Sequence, residues 1–367
     1  MGTLTVRLQN VVLQIKTAHE DFLVHAREHF SHQVIPDQEY ADVQVVLDYR
    51  TGLRRHHEAF RFDGPADRIL IGYNTFLSTD SIDWNNIWDF PGLKLSHRKE
   101  KSRHFYHVVY HEMEDDHLPL RLAKRILRRR ARKAHQDDIL DQFLEYLVYY
   151  PIFWFLEYER GLHLCHASGV ELQRGAVIFP GLAGVGKSTV SMYLFSRMGG
   201  RLLSDNLLFY DDKKVYACLE PILLASYGQR LLERGDPRVI ATGRSSVYDR
   251  NAFLIPEEHR SNEAKLGLVI LLVRSKSAFV RRVSKEYALS RTLDANAIAG
   301  ETKRYHTYSA MMNLLTPRSI LTLRRAQTLA TILAGAECYE AGMPDGVSAE
   351  GDLDAAFLQE LEKLPIA

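Results

Sequence analysis

Residues 3–15 alternate between apolar and polar like a strand, and residues 18–30 carry apolar positions at helical spacing. Val43–Leu47, Glu58–Phe62 and Arg68–Gly72 form further short runs suited to strands. The N-terminal part, residues 1–118, is therefore expected to be a small α+β domain. It offers no nucleophile beside a base, no cluster of metal ligands and no glycine-rich turn, so recognition or packing is the role it supports.

Residues 119–160 read as a helical connector with two parts of different chemistry. Arg121–Lys133 (RLAKRILRRRARK) holds eight Lys or Arg in thirteen residues, with Leu122, Ile126 and Leu127 roughly on one face. It is either a patch for an anionic partner or a solvated helix paired with Asp137, Asp138 and Asp141. The lack of interleaved aromatics disfavours nucleic acid. Tyr146–Leu156 (YLVYYPIFWFL) is about half the length needed to cross a bilayer and is flanked by Glu145 and Glu157, so it reads as a core or domain-interface helix broken at Pro151 rather than a membrane-surface segment.

The pattern then changes to short, sharply punctuated strands. Leu162–Leu172 and Ala176–Pro180 flank a turn at Gln173-Arg174-Gly175 and should pair as an antiparallel hairpin. Directly after comes Gly181-Leu-Ala-Gly184-Val185-Gly186-Lys187-Ser188-Thr189, a complete G-x-x-x-x-G-K-[ST] (Walker A) motif, followed by residues at helical spacing that end at Gly199-Gly200. Strand, loop and helix stand in the order a phosphate-binding loop requires. Backbone N–H groups of the glycine-rich turn wrap a β-phosphate and the helix N-terminus adds a favourable dipole. Lys187 is placed to neutralise the β- and γ-phosphates and Ser188 to ligate Mg²⁺.

A second hairpin follows. Asp205-Asn206 ends the strand Arg201–Ser204, eighteen residues after Lys187, and the chain returns through Leu207–Tyr210, a turn at Asp211-Asp212-Lys213-Lys214, and Val215–Leu219. Hairpins on both sides of the loop argue against a doubly wound parallel sheet, and with it against a switch GTPase or motor core. With no later apolar strand ending in Asp, Asp205 is the best carboxylate for metal or proton.

Composition narrows the setting. Lys plus Arg number 47 against 46 Asp plus Glu, so anion binding has to be local. Cys165, Cys218 and Cys338 form neither a CxxC pair nor a disulfide framework, and the N-terminus shows no basic segment leading into an apolar one. A cytoplasmic location is expected.

His166-Ala-Ser-Gly169, Gly175-Ala-Val-Ile-Phe-Pro-Gly181 with its loop, and Leu203-Ser-Asp205-Asn206 together resemble the catalytic core of the HPr kinase/phosphorylase group and its relatives. The match spans about residues 160–222. The resemblance implies that residues 161–367 form a mixed-sheet α/β P-loop kinase domain of the type shared with phosphoenolpyruvate carboxykinase. It implies transfer of the γ-phosphoryl group of ATP, with Mg²⁺, to a hydroxyl of a protein, peptide or small molecule. Lys187 and Ser188 match the phosphate and metal positions, and Asp205 matches the first of two consecutive family aspartates. His166 matches a neighbouring histidine. Asn206 replaces the second aspartate, removing one charge while keeping a carbonyl for Mg²⁺.

The expected catalytic residues are thus Asp205, which orients or deprotonates the acceptor, His166 hydrogen-bonded beside it, and Lys187. The nucleotide is expected on Gly181, Gly184, Val185, Gly186, Lys187, Ser188 and Thr189, and Mg²⁺ on Ser188, Asp205 and Asn206. Glu220, at the end of the returning strand, either reaches the outer shell of the metal or is a surface carboxylate. Arg244 is a candidate phosphate clamp, and Glu301–Tyr308 either lines an acceptor pocket or is a solvated helix face. The competing reading is a nucleotide-sensing regulator with little phosphotransfer. Carboxykinase chemistry would need Lys265 with His166 and Asp205 around a second metal. Self-association into a homo-oligomer stays open.

Overall fold

The computed structural model describes residues 1–38, 40–54, 69–72, 75–78, 81–87, 90–113, 139–218, 220–224, 238–245, 251–315, 321–344, 353 and 355–365. The expected strand Glu58–Phe62, the basic helix Arg121–Lys133 and the Arg244 side chain lie outside what is described. The chain divides into two units, one of Met1–Glu159 with Tyr308–Arg318 and one of Arg160–Thr307 with Ser319–Ala367. Both mix helices with large sheets of mixed strand direction, an α/β chain of the α+β kind.

In the first unit the elements are β1 (Gly2–Leu8), β2 (Val11–Thr17), α1 (Glu20–His29), β3 (Val34–Ile35), β4 (Val43–Arg54), β5 (Ile69–Gly72), β6 (Thr75–Leu77), β7 (Ser81–Ile87), β8 (Phe90–Glu100), β9 (Arg103–Met113) and α2 (Tyr150–Arg160). The strands form one sheet in the order β3-β1-β2-β4-β9-β8-β7-β6-β5. The single strand expected over 3–15 is a hairpin. Gln9 and Asn10 take φ of 47° and 63°, the left-handed pair of a type I′ turn, and Leu8 faces Val11 in register. α1 crosses between the parallel strands β2 and β4, with Glu20 and Asp21 in its first turn and Arg27 and His29 in its last, matching the helix dipole.

The aromatic helix is buried, as its composition predicts, but Pro151 does not break it. A π-helical turn over Glu145–Tyr149, in which the Tyr150 N–H donates to Glu145 O, leads directly into α2. Widening the turn moves the preceding carbonyls away from the proline ring and needs no N–H from Pro151, which removes both reasons a proline ends a helix. Trp154 of α2 meets His97 and His104 of β8 and β9 edge-on at 5.3 and 5.0 Å.

The second unit contains β10 (His163–Leu172), β11 (Gly175–Pro180), α3 (Lys187–Arg197), β12 (Arg201–Ser204), β13 (Leu207–Tyr210), β14 (Lys214–Ala217), β15 (Ile222–Leu224), β16 (Ile240–Ser245), β17 (Asn251–Leu254), β18 (Glu263–Ser275), β19 (Phe279–Arg282), α4 (Lys285–Ile298), α5 (Gly300–Asn313, of which the last turns belong to the first unit), α6 (Leu321–Ala334), β20 (Glu337–Pro344) and α7 (Ala355–Glu362). Both expected hairpins form: β10 pairs antiparallel with β11, and β13 with β14. β18 closes the sheet by pairing antiparallel with β14 and parallel with both β11 and β20.

Alternate residues of these strands feed two cores. Val177 and Phe179 of β11 with Leu268, Ile270 and Leu272 of β18 pack on α3 and α7, while Ala176, Ile178, Leu266, Val269 and Leu271 pack with residues of α4 and α6. The unbroken apolar run of β18 is that of a strand covered on both faces, each fully buried Val, Leu or Ile being worth about 1.5–3 kcal/mol. Among the described residues no helix is long and apolar enough to cross a membrane.

Candidate active site

The parallel strands β11, β18 and β20 point the same way, and their carboxyl ends build the loop's surroundings. β11 runs out at Pro180 into Gly181. Gly184 and Gly186 take φ of 82° and 103°, and Gly186 caps α3 in the left-handed region, a conformation that glycine alone adopts cheaply. A Cβ on Gly184 would meet nothing within 4 Å, so the outer side of the loop is open; one on Gly186 would lie 2.2 Å from Met343 Cε at the end of β20. At the end of β18, Arg274 donates from Nη2 to Gly184 O at 3.1 Å. This is the crevice, beyond the carboxyl ends of parallel strands, where α/β folds bind ligands.

Lys187 opens α3 and is only 6% exposed, with Nζ donating to Gly181 O and Leu182 O, each at 2.9 Å. Burial pulls its pKa down to about 8, against the opposing pull of Asp205 and Glu301, so it is largely a cation at neutral pH. Ser188 and Thr189 follow in the first turn, half-buried, and Val185 sits half-buried with a methyl beside Gly181.

Asp205 and Asn206 form the bend between β12 and β13, both half-buried. The bend is pinned from two sides: the Ser168 hydroxyl on β10 donates to Asp205 O, and the Ser204 hydroxyl to Leu207 O. His166, on β10, is 2% exposed. Its backbone N–H donates to Asn296 Oδ1 at 2.8 Å, and its Nε2 lies 3.0 Å from Asn206 Oδ1. Burial, and then the charge of Lys187, lower its pKa to about 4, against the pull of Glu301 and the Asn206 bond. The ring is therefore neutral at pH 7, donates Nε2–H to the Asn206 carbonyl, and leaves Nδ1 buried without a hydrogen-bond partner.

His166, Lys187, Asp205 and Asn206 thus come together in one cluster. The hydrogen bond expected between His166 and Asp205 falls on Asn206 instead, whose Oδ1 faces the ring. Glu220 donates its N–H to Cys218 O at 2.9 Å beyond β14, and its charge is felt by the Cys218 thiol. Lys265 is exposed on β18, in register with Lys214.

Three contributors carried no recognisable motif. Arg274 tethers the loop. Asn296, on α4, accepts from His166 and donates to Cys165 Sγ at 3.6 Å. Glu301, in the first turn of α5, lies close enough for its charge to act on both Lys187 and His166. In the stretch Glu301–Tyr308 one face is buried, with Thr302, Tyr305 and Tyr308 in the interior, and Lys303 and Thr307 are exposed.

Among the described residues no group of three or more His, Cys, Asp and Glu could hold a metal by itself. The Ser188 hydroxyl, Asp205 carboxylate and Asn206 carbonyl are instead an oxygen-only set with one negative charge. Such a set suits Mg²⁺ shared with phosphate oxygens rather than a closed protein cage. A scan against protein-family models and a search of curated proteins found no match to this sequence.

Proposed function

We propose that this protein is an Mg-ATP-dependent phosphotransferase that moves the γ-phosphoryl group to a hydroxyl of a protein, peptide or small molecule. One observation carries the reading. A left-handed glycine cap starts α3 at the carboxyl ends of three parallel strands and sets the buried ammonium of Lys187 within charge reach of Asp205. A glycine-rich turn with a lysine binds phosphate; adding a carboxylate and an amide carbonyl suits it to a metal-assisted transfer.

In this reading the amides of Gly181 to Thr189 hold the phosphates and Lys187 neutralises them. Ser188, Asp205 and Asn206 would hold Mg²⁺, which supplies charge neutralisation on the transferred group. His166 fixes the Asn206 carbonyl by its Nε2–H, so the second bend residue keeps one orientation. The finer fold assignment, a P-loop kinase of the HPr kinase and phosphoenolpyruvate carboxykinase type, rests on the sequence resemblance. The cytoplasm, where ATP is abundant, is the setting we assign.

The test is label transfer from γ-labelled ATP and Mg²⁺ to cell extract separated into protein, peptide and small-molecule fractions, with Asp205→Ala beside wild type. Label that appears in one fraction with wild type and not with the variant supports the kinase. If both bind nucleotide and neither labels any fraction, the phosphotransferase reading fails and a nucleotide sensor replaces it.

A further inference from the structure

A loop that binds an anion has to turn its N–H groups inward and its carbonyls away, and a glycine-rich loop has enough backbone freedom to do the reverse. Here the carbonyls are held by cations. Lys187 Nζ donates to Gly181 O and Leu182 O, each at 2.9 Å, and Arg274 Nη2 donates to Gly184 O at 3.1 Å. The N–H groups of Val185 and Gly186, by contrast, have no acceptor among the described residues.

Arg274 acts on the peptide between Gly184 and Val185. That peptide is trans, so its C=O and N–H point in opposite directions, and a group that holds Gly184 O on one side fixes the Val185 N–H on the other. Gly184, at φ 82° with nothing within 4 Å of a Cβ, leaves this peptide free to turn over. Arg274 holds it from a strand rather than from another loop. Leu268, Ile270 and Leu272 of β18 face the core around α3, and the two-residue period of a strand carries Arg274 to the same face, one position beyond that core and level with the loop. Its neighbour in the parallel ladder is Met343, whose methyl lies beside Gly186. Paired positions on β18 and β20 thus brace the loop on both sides of Val185.

We propose that Arg274 is a positioning residue for phosphate binding: by holding Gly184 O outward it aims the Val185 N–H into the loop, where a phosphate oxygen accepts it. The proposal rests on the phosphate-binding half of the reading above and involves no step of the transfer. Lys187 holds the carbonyls at the loop entrance from within the motif, whereas Arg274 reaches Gly184 from 90 residues further along the chain.

The experiment compares wild type, Arg274→Met, which keeps a long side chain without its donors, and Arg274→Lys, which keeps a charged donor. Affinity for ADP with Mg²⁺ is measured by titration calorimetry, and the Val185 N–H is followed by NMR in protein labelled with [15N]valine, a Val185→Ile variant identifying its signal. In wild type, saturating ADP should move that signal downfield, as a new hydrogen bond to phosphate does. Arg274→Met should bind ADP about ten- to a hundredfold more weakly, the worth of a hydrogen bond from a charged group, and should lose the downfield shift even when saturated. Arg274→Lys should recover most of both. A fall in Tm with ADP affinity unchanged makes the tether merely structural and overturns the proposal. A loss of affinity with the Val185 shift intact overturns it as well, because the guanidinium then meets the phosphate itself. Wild type that binds no ADP defeats the phosphate-loop reading and this proposal together; wild type and Arg274→Met binding ADP alike defeats the role of Arg274 alone.

Discussion

Replacing Gly186 by alanine separates two costs that the loop geometry makes distinct. At φ 103° and ψ 11° an L side chain is disfavoured by about 1–2 kcal/mol. The new Cβ would also lie 2.2 Å from Met343 Cε. That methyl ends a flexible chain and can swing, but Met343 is 2% exposed in the core around α3, so the swing repacks its neighbours for about 1 kcal/mol. The sum is about 2–3 kcal/mol, a fall in Tm of roughly 5–10 °C for a unit of this size. Gly184→Ala, at φ 82° with nothing within 4 Å of the new Cβ, should show the strain without the repacking and lose less. In a double-mutant cycle, Met343→Ala should remove about 1 kcal/mol of the Gly186→Ala penalty. Calorimetry on wild type, the three single variants and the double variant decides it. An unchanged Tm in Gly186→Ala, or a larger loss in Gly184→Ala, refutes the geometry argued for the loop.

Other substitutions test other parts of the molecule. Lys187→Met removes a buried ammonium, so Tm should hold or rise by a few degrees while Mg·ATP affinity falls about ten- to hundredfold; a thermal loss without an affinity loss contradicts the site. Asn296→Ala leaves the buried His166 N–H without its acceptor and should cost about 1–3 kcal/mol by denaturant titration, with no change expected if that bond is immaterial. In the first unit, burial lowers the pKa of His97 and holds His104 at about 4, beside Lys99, Glu159 and Asp42. The unfolded chain protonates first, so this stability is present above about pH 6.5 and is lost as pH falls toward 4, up to about 3 kcal/mol from His104 alone. Melting curves from pH 7 to pH 4 should show that acid limb, and His104→Gln should flatten it.

Local chemistry made some elements legible and hid others. The hairpins of β10 with β11 and β13 with β14 announce themselves by turns of Gly175 and of Asp211 to Lys214 between apolar runs. The β1–β2 hairpin does not, because Gln9 and Asn10 accept positive φ without the glycine that usually signals such a turn. Pro151 misleads in the same way: a break is what proline ordinarily means, and only the π-helical turn before it, set by burial of the whole aromatic segment, lets the helix continue.

The candidate site shows why motif reading finds some of its residues more easily than others. The glycine-rich loop is contiguous: Gly181 to Thr189 fixes its own backbone, so sequence alone names it. What surrounds the loop is assembled from side chains far apart in sequence, with Asn296 brought to His166 by a helix that carries no motif. Arg274 is one arginine among many until β18 is seen running parallel to β11 and ending beside the loop. The loop rests on backbone geometry, which a short motif must preserve. Its surroundings rest on single side chains that any nearby element can supply, as Arg274 and Asn296 show. What completes the candidate site is therefore better sought among residues surrounding Lys187 in space than beside Asp205 in the chain.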